Sequence, residues 1–187
     1  IARVRAVRAA CPDAWIGVDA NQGYAHDTLL TLIPALVEAR VSLLEQPCAR
    51  GHESELDGIS HVIPIAADES VQGLDEIDAL VGRFDVVNIK LDKCGGLTEG
   101  LMMAERARVL GLRVMVGNMV GTSLAMAPAY ILGQACDIVD LDGAQFLQRR
   151  CHGVGHGQRL AFDDPRYSVG KPDIGLLAST RSWPGSM

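Results

Sequence analysis

VVNIK at residues 86–90 is the stretch from which the fold is predicted: a short apolar run that ends in a charged residue. Five other short runs end in the same way, in an acid or an amide. They are WIGVD (15–19), VSLLE (41–45), IPIAAD (63–68), VMVGN (114–118) and DIVDLD (137–142). The endings recur every 22 to 28 residues. That interval is the length of one strand, one helix and the two loops that join them.

This spacing predicts an α/β fold with a parallel sheet and right-handed crossovers. Strands are expected at 14–19, 41–45, 62–67, 85–90, 112–117 and 137–141. Helices are expected at 2–10, 26–39, 52–58, 73–82, 97–110 and 122–134. Because a parallel (β/α) TIM-type barrel carries its functional groups at the carboxyl ends of its strands, all six endings would meet at one mouth.

Six strands do not close an eight-stranded barrel. We therefore expect the first strands to lie upstream of residue 1, so that this chain supplies the last six βα units of a modified eight-stranded barrel. Residues 1–147 are predicted to form the incomplete barrel that carries the site. Residues 148–187 are rich in Gly, Asp and Pro and are predicted to form a loop-rich extension that packs on the barrel.

Composition narrows the class of partner. A net charge of −6 with only 4% aromatic residues argues against nucleic acid. The uncharged stretch 114–136 contains Gly, Asn, Ser and Pro, and so favours a buried strand and a core helix over a membrane span. Five cysteines without a C-x-x-C pair indicate reduced thiols and a cytoplasmic location.

Three acids, Asp19, Glu45 and Asp68, end three consecutive predicted strands. Carboxylates that converge on one point repel one another unless a cation lies between them. Hard oxygen ligands with room for water and substrate suit Mg²⁺, with Mn²⁺ as the alternative ion. The other interpretation is that each acid caps a helix or is simply solvated.

Lys90 has the same alternation as Asn88, so both side chains are expected to point into the barrel. Beside a divalent cation and away from water, the pKa of Lys90 is expected to fall toward the range of a general base. The alternative is a surface lysine that follows a strand. Lys93 has the opposite alternation and is predicted to lie in the loop, which makes it the second candidate.

The chain contains the motifs VDAN (18–21), EQP (45–47), ADES (67–70) and NIKLDKCGG (88–96). They resemble the enolase superfamily, muconate-lactonizing subgroup, and the D-x-D pair at 140–142 most resembles its dipeptide epimerases. The resemblance implies that Asp19, Glu45 and Asp68 bind Mg²⁺ and that Lys90 is one of two lysines that move the substrate's α-proton. It places the other lysine in a K-x-K motif upstream of residue 1, where the family also has a capping domain.

The resemblance suggests a role for one acid pair, and the positions of other residues near the strand ends suggest further ones. Asp140 and Asp142 form a D-x-D pair that resembles the one with which dipeptide epimerases bind the substrate's α-ammonium; a helix cap or loop acid is the alternative. Two further side chains, Asn118 and Asp92, are expected to contact substrate. Three more are expected to orient the ligand acids: Asn21, Gln46 and Glu69.

The predicted function is a Mg²⁺-dependent racemase or epimerase that abstracts the α-proton of a carboxylate substrate, most specifically a dipeptide, through an enolate. Relatives imply a homo-oligomer. Gly121-Thr122 and DGAQ (142–145) depart from the family pattern near the substrate, so L-Ala-D/L-Glu is not assumed. The alternatives are a cycloisomerase, an o-succinylbenzoate synthase, a racemase of N-substituted amino acids, or a truncated barrel without activity.

Overall fold

The computed structural model describes residues 1–146, and its strands form one parallel sheet in sequential order. The strands are β1 (Gly17–Asp19), β2 (Leu43–Glu45), β3 (Ile65–Ala67), β4 (Val86–Lys90), β5 (Arg113–Gly117) and β6 (Ile138–Val139). The register places Asp19 beside Glu45 on the neighbouring strand. This is the strand order of a (β/α) barrel segment, and it confirms the predicted fold class.

Helices connect the strands. The α-helices are α1 (Ala2–Ala10), α2 (His26–Glu38), α3 (Leu91–Cys94), α4 (Leu97–Val109) and α5 (Ser123–Gly133). Short 3₁₀ helices span Glu53–Leu56, Leu74–Leu80 and Gly143–Phe146. None of the helices in residues 1–146 combines the length and apolar character that a membrane crossing requires.

The predicted elements differ from the observed ones in three respects. Strands are shorter than predicted, because the first residues of each apolar run precede the hydrogen-bonded ladder. The predicted helices at 52–58 and 73–82 are 3₁₀ helices. The one-turn helix α3 was not predicted, because four residues are too few to show a helical period. It ends at Gly95, whose φ of 87° favours glycine.

The core has two parts, one on each face of the sheet. The larger part lies between the sheet and the helices and includes Leu36, Ile89 and Leu132. The smaller part, here called the inner cluster, takes one side chain from each of five strands, with Trp15 packed against it. Its members are Leu43, Ala66, Val86, Met115 and Ile138.

A layer of mostly polar positions lies directly above the inner cluster. Side chains on a strand alternate between faces, so the residue two positions after each inner-cluster member faces the same way. Those residues are Glu45, Asp68, Asn88, Gly117 and Asp140. The site residues predicted from strand endings are therefore supported from below by a continuous apolar floor.

The loop-rich extension predicted for residues 148–187 falls outside the described residues.

Candidate active site

Asp68 is the centre of the polar layer, because two lysines hold its two carboxylate oxygens. Lys90 Nζ lies 2.6 Å from Oδ2 and Lys93 Nζ lies 2.6 Å from Oδ1. Lys93 also donates to the main-chain carbonyl of Asp68. All three side chains are largely shielded from solvent, with Asp68 only 5% exposed. The structure thus brings together the predicted base, one predicted ligand and the lysine that was ranked second.

Lys93 reaches this position because α3 turns the chain immediately after β4. The prediction placed Lys93 in a loop on the opposite side, since strand alternation was extended past Lys90. The backbone instead becomes helical at Leu91. This part of the prediction was wrong.

Glu45 lies in the same layer and is hydrogen-bonded by Asn88, whose Nδ2 lies 2.6 Å from Glu45 Oε1. Glu45 is on β2 and Asn88 is on β4, so their bond passes across β3 on the inner face of a curled sheet. Burial, and then the charges of Asp68 and Asp19, raise the pKa of Glu45 to about 7, although Asn88 and Lys90 oppose the shift.

Asp19 completes the set of predicted ligand acids at the exposed rim of the site. Its Oδ1 accepts the backbone N–H of Asn21 at 2.8 Å. Asn21 has a φ of 45°, in the left-handed region that asparagine tolerates. Asn21 was predicted to orient Asp19, and the group that does so here is its backbone N–H.

The two lysines differ in how the site affects their pKa. Burial lowers the pKa of Lys90, but its hydrogen bond to Asp68 and the charges of Asp68, Glu45 and Asp19 outweigh burial, so the pKa is raised. The fall in pKa expected from the sequence was for Lys90 beside a divalent cation; in the metal-free site the carboxylates act in the opposite direction. Burial and the charge of Lys90 lower the pKa of Lys93.

Gln46 fixes the backbone around Asp68. Its side chain is fully buried, and Oε1 accepts the N–H groups of Asp68 and Ser70 at 2.9 and 3.1 Å. Its Nε2 donates to the Cys48 carbonyl and to Ser70 Oγ, both at 2.8 Å. The Ser70 hydroxyl donates in turn to Glu53. Every hydrogen-bonding position of the Gln46 amide is used, as its predicted orienting role requires.

Glu69, the third residue predicted to orient the acids, is placed differently. Its Oε2 is buried and has no hydrogen-bond partner within the described residues. Its charge acts on Lys93, whose pKa it raises.

The acid pair after β6 faces the same space. Asp140 and Asp142 both keep exposed side chains. Desolvation by the surrounding protein, and then the charge of Asp142, raise the pKa of Asp140, while the charge of Lys90 lowers it. Asp140 therefore interacts electrostatically with the predicted base, and the Asp142 backbone N–H hydrogen-bonds its carboxylate.

The loop after β5 packs against Gly143, the residue that follows the acid pair. A Cβ at Gly143 would lie 2.0 Å from Asn118 Nδ2 and 2.6 Å from the Met119 carbonyl, so only glycine permits this approach. The Asn118 amide donates to the Met119 carbonyl, and the Met119 N–H makes a long bond of 3.4 Å to Asp92. Asn118 and Asp92, both predicted to contact substrate, thus connect the ends of β4, β5 and β6.

The donor set suits a divalent cation. Among residues 1–146, no three His, Cys, Asp or Glu side chains are grouped closely enough to hold a metal ion. Both carboxylate oxygens of Asp68 are bound to lysines. The charges of Asp68 and Asp19 nevertheless act on Glu45 and contribute to its raised pKa. A cation among these oxygens would relieve that repulsion, and all-oxygen ligation is the preference of Mg²⁺.

Sequence analysis assigned no role to Asn88 and did not consider Gly117. Asn88 was expected to face inward, but its bond to Glu45 depends on curvature that a strand pattern does not specify. A Cβ at Gly117 would lie 2.8 Å from Asn88 Oδ1 and 3.0 Å from Lys90 Cε. Its position two residues after Met115 on the inner face was the available signal.

The family model and the similar proteins found by comparison agree on one family. The family model "Enolase C-terminal domain-like" matches residues 1–174. An N-acetyl-D-glutamate racemase from a Pseudoalteromonas species is 43% identical over 143 residues, which cover 76% of this chain and 45% of the racemase.

Two solved structures show the same likeness. One is an Agrobacterium tumefaciens enolase family member with homology to dipeptide epimerases, bound to sodium and L-Ala-L-Glu. It is 46% identical with a TM-score of 0.78, over 80% of this chain and 46% of that one. The other, a Methylococcus capsulatus dipeptide epimerase complexed with Mg, is 34% identical with a TM-score of 0.74, over 80% and 46%. The chain spans about half the length of these relatives.

Proposed function

Because the chain belongs to the enolase C-terminal domain-like family, we propose that it supplies the metal ligands and one acid/base lysine of a racemase or epimerase. The substrate is a carboxylate whose α-carbon is inverted, most specifically a dipeptide. The observation that carries the proposal is the convergence of Lys90, Asp68 and Glu45 above one apolar floor, with Asp19 and Asp140 at its rim.

Asp19, Glu45 and Asp68 are the residues that would hold Mg²⁺, with Mn²⁺ as an alternative ion. The ion, when bound, stabilises the negative charge that develops on the substrate carboxylate as the α-proton leaves. The Mg-bound relative supports this choice of metal.

Lys90 is the group proposed to take or return the α-proton on one face of the substrate. Within the described part of the chain Lys90 makes one hydrogen bond, to Asp68, and the neighbouring carboxylates hold the side chain at the centre of the site. The lysine for the opposite face is proposed to come from outside this chain, as the family resemblance implies.

Asp140 and Asp142 are proposed to bind the α-ammonium of a dipeptide by charge-assisted hydrogen bonds. A second candidate is racemisation of an N-acylated amino acid, which has no such ammonium. The 43% identity to an N-acetyl-D-glutamate racemase favours this candidate. Both substrate classes lose and regain an α-proton. Only the dipeptide carries an ammonium group for Asp140 and Asp142 to bind.

The test is α-proton exchange in D₂O. The protein is incubated with Mg²⁺ and two panels, one of dipeptides and one of N-acetyl amino acids, and mass gain is read compound by compound. Deuterium uptake that EDTA abolishes is the expected result, and the panel that exchanges identifies the substrate class. Absence of uptake in both panels, with Mg²⁺ bound, would refute the proposal.

A further inference from the structure

Asn88 is a buried polar side chain that donates directly to the carboxylate of a predicted ligand acid. It is 1% exposed, and its Nδ2 lies 2.6 Å from Glu45 Oε1. On the same face of β4, Val86 two residues before it belongs to the apolar inner cluster, and Lys90 two residues after it belongs to the charged site. Asn88 thus lies at the boundary between the floor and the site.

The chemistry of the pair fixes the orientation of the amide. In the ionised form, which a metal ligand takes, the Glu45 carboxylate only accepts hydrogen bonds, so Asn88 presents Nδ2 to it. Its Oδ1 is then directed elsewhere, and it is buried without a hydrogen-bond partner among the described residues. An apolar side chain of the same size would avoid this unsatisfied acceptor, so packing alone does not explain an asparagine here.

Gly117 provides the space that this orientation needs. On β5 it pairs with Lys90, and a Cβ would lie 2.8 Å from Asn88 Oδ1 and 3.0 Å from Asn88 Nδ2. Both distances are shorter than ordinary van der Waals contact. The missing side chain at 117 and the amide at 88 therefore form one complementary pair on adjacent strands.

We propose that Asn88 is a positioning residue for the metal site: it holds Glu45 by Oε1 and leaves Oε2 available to the cation. The inference rests on the proposed function, since it assumes that Glu45 is a ligand. Groups that hydrogen-bond a metal-ligating side chain fix its orientation, and their removal typically weakens metal affinity by about 10- to 100-fold.

The experiment compares Mg²⁺ affinity by isothermal titration calorimetry at pH 8 in the complete protein. Asn88→Leu removes the donor with little change in volume. Gly117→Ala crowds the unaltered amide and also the Cε atom of Lys90. Gly133→Ala is the matched control, because its Cβ would approach Val116 and Val139 at 3.3–3.4 Å, away from the acids. Asn88→Ser replaces the leucine variant if that variant fails to fold.

Both Asn88→Leu and Gly117→Ala are expected to raise the Mg²⁺ dissociation constant about tenfold or more, while Gly133→Ala leaves it near the wild-type value. Asn88→Leu is also expected to recover most of the wild-type kcat at saturating Mg²⁺, which separates positioning from catalysis. An unchanged dissociation constant in folded Asn88 variants would overturn the inference. Failure of the wild-type protein to bind Mg²⁺ would instead overturn the proposed function.

Discussion

Lys93 Nζ lies 2.6 Å from Oδ1 of Asp68 and also bonds its main-chain carbonyl, so one lysine holds one acid by two groups. Lys90 holds the same acid by a single contact. The two lysines are three positions apart and equally shielded, yet their bonding differs. Lys93 is anchored to the protein, whereas Lys90 can reach a substrate by breaking one hydrogen bond.

This difference predicts different phenotypes for the two lysines. Lys90→Ala should reduce α-proton exchange by about 10²- to 10⁴-fold, the usual contribution of a general acid or base, while Mg²⁺ binding is retained. Lys93→Met should keep exchange within about tenfold of wild type. Deuterium uptake and Mg²⁺ titration measure the two effects. Equal loss in both variants would mean that the single contact of Lys90 does not mark the base.

Glu45 predicts a pH dependence of stability in the metal-free protein. Its pKa is about 7 when folded and near 4.5 when unfolded, so the contribution to stability is fully present below pH 4.5 and is lost as pH rises through 7. Relative to Glu45→Gln, wild type should lose about 3 kcal/mol of unfolding free energy between pH 4.5 and 8.

Urea unfolding in EDTA at several pH values measures this difference. The glutamine retains an acceptor for Asn88, so it is a matched control. Addition of Mg²⁺ at pH 8 should restore the unfolding free energy of wild type and leave that of Glu45→Gln nearly unchanged. Parallel pH profiles for the two proteins would contradict the prediction.

The hydrogen bonds of Gln46 predict a larger loss of unfolding free energy for Gln46→Leu than for Ser70→Ala. Gln46→Leu leaves the N–H groups of Asp68 and Ser70 and the Cys48 carbonyl without their partner, and each unsatisfied buried group costs about 1–3 kcal/mol. A total loss of at least about 3 kcal/mol in urea unfolding is expected. Ser70→Ala, which keeps those backbone bonds, should cost about 1 kcal/mol; a larger loss in Ser70→Ala than in Gln46→Leu would refute the account.

Asp142 distinguishes the two substrate classes. Asp142→Asn should raise KM about tenfold or more for a dipeptide with a free ammonium, because a charge-assisted hydrogen bond is weakened. For an N-acetyl amino acid KM should be almost unchanged. The control is Asp137→Asn, at the other end of β6, where the side chain accepts the Val114 N–H at 2.8 Å. A similar KM effect on both substrates would argue against ammonium binding.

Cysteine reactivity tests the packing of the core. Burial raises the pKa of Cys48 to about 11 and that of Cys136 to about 12, so at pH 8 neither forms an appreciable amount of the reactive thiolate. Cys11 is exposed. Iodoacetamide followed by peptide mass spectrometry should modify Cys11 in the native protein and the other two only in urea. Rapid native labelling of Cys136 would show that the core opens.

The positions of the strand endings could be predicted from the sequence because they depend on a local rule. Alternation along a strand and a shared direction of all strands place Glu45, Asp68 and Asp140 together, and both properties are visible in the sequence. The rule stops where the strand stops. Lys93 was misplaced for that reason, since a single helical turn follows Lys90.

Other features depend on non-local geometry. The Asn88–Glu45 bond joins residues 43 positions apart on strands that are not neighbours, and it forms because the sheet curls. The raised pKa of Lys90 likewise depends on three carboxylates from three other strands. Neither the curl nor the summed field of the carboxylates can be obtained from a single strand's pattern.

The contact between Gly143 and Asn118 has a consequence for how substrate preference changes. Any side chain at position 143 would push the loop after β5 away from the acid pair, because the Cβ would lie 2.0 Å from the Asn118 amide. Substitutions in the loop after β5 and in the loop after β6 are therefore expected to depend on each other. A new preference in this protein is expected to arise from paired substitutions, one in each loop, and engineering that alters only residues 118–122 or only residues 142–145 is expected to disturb both.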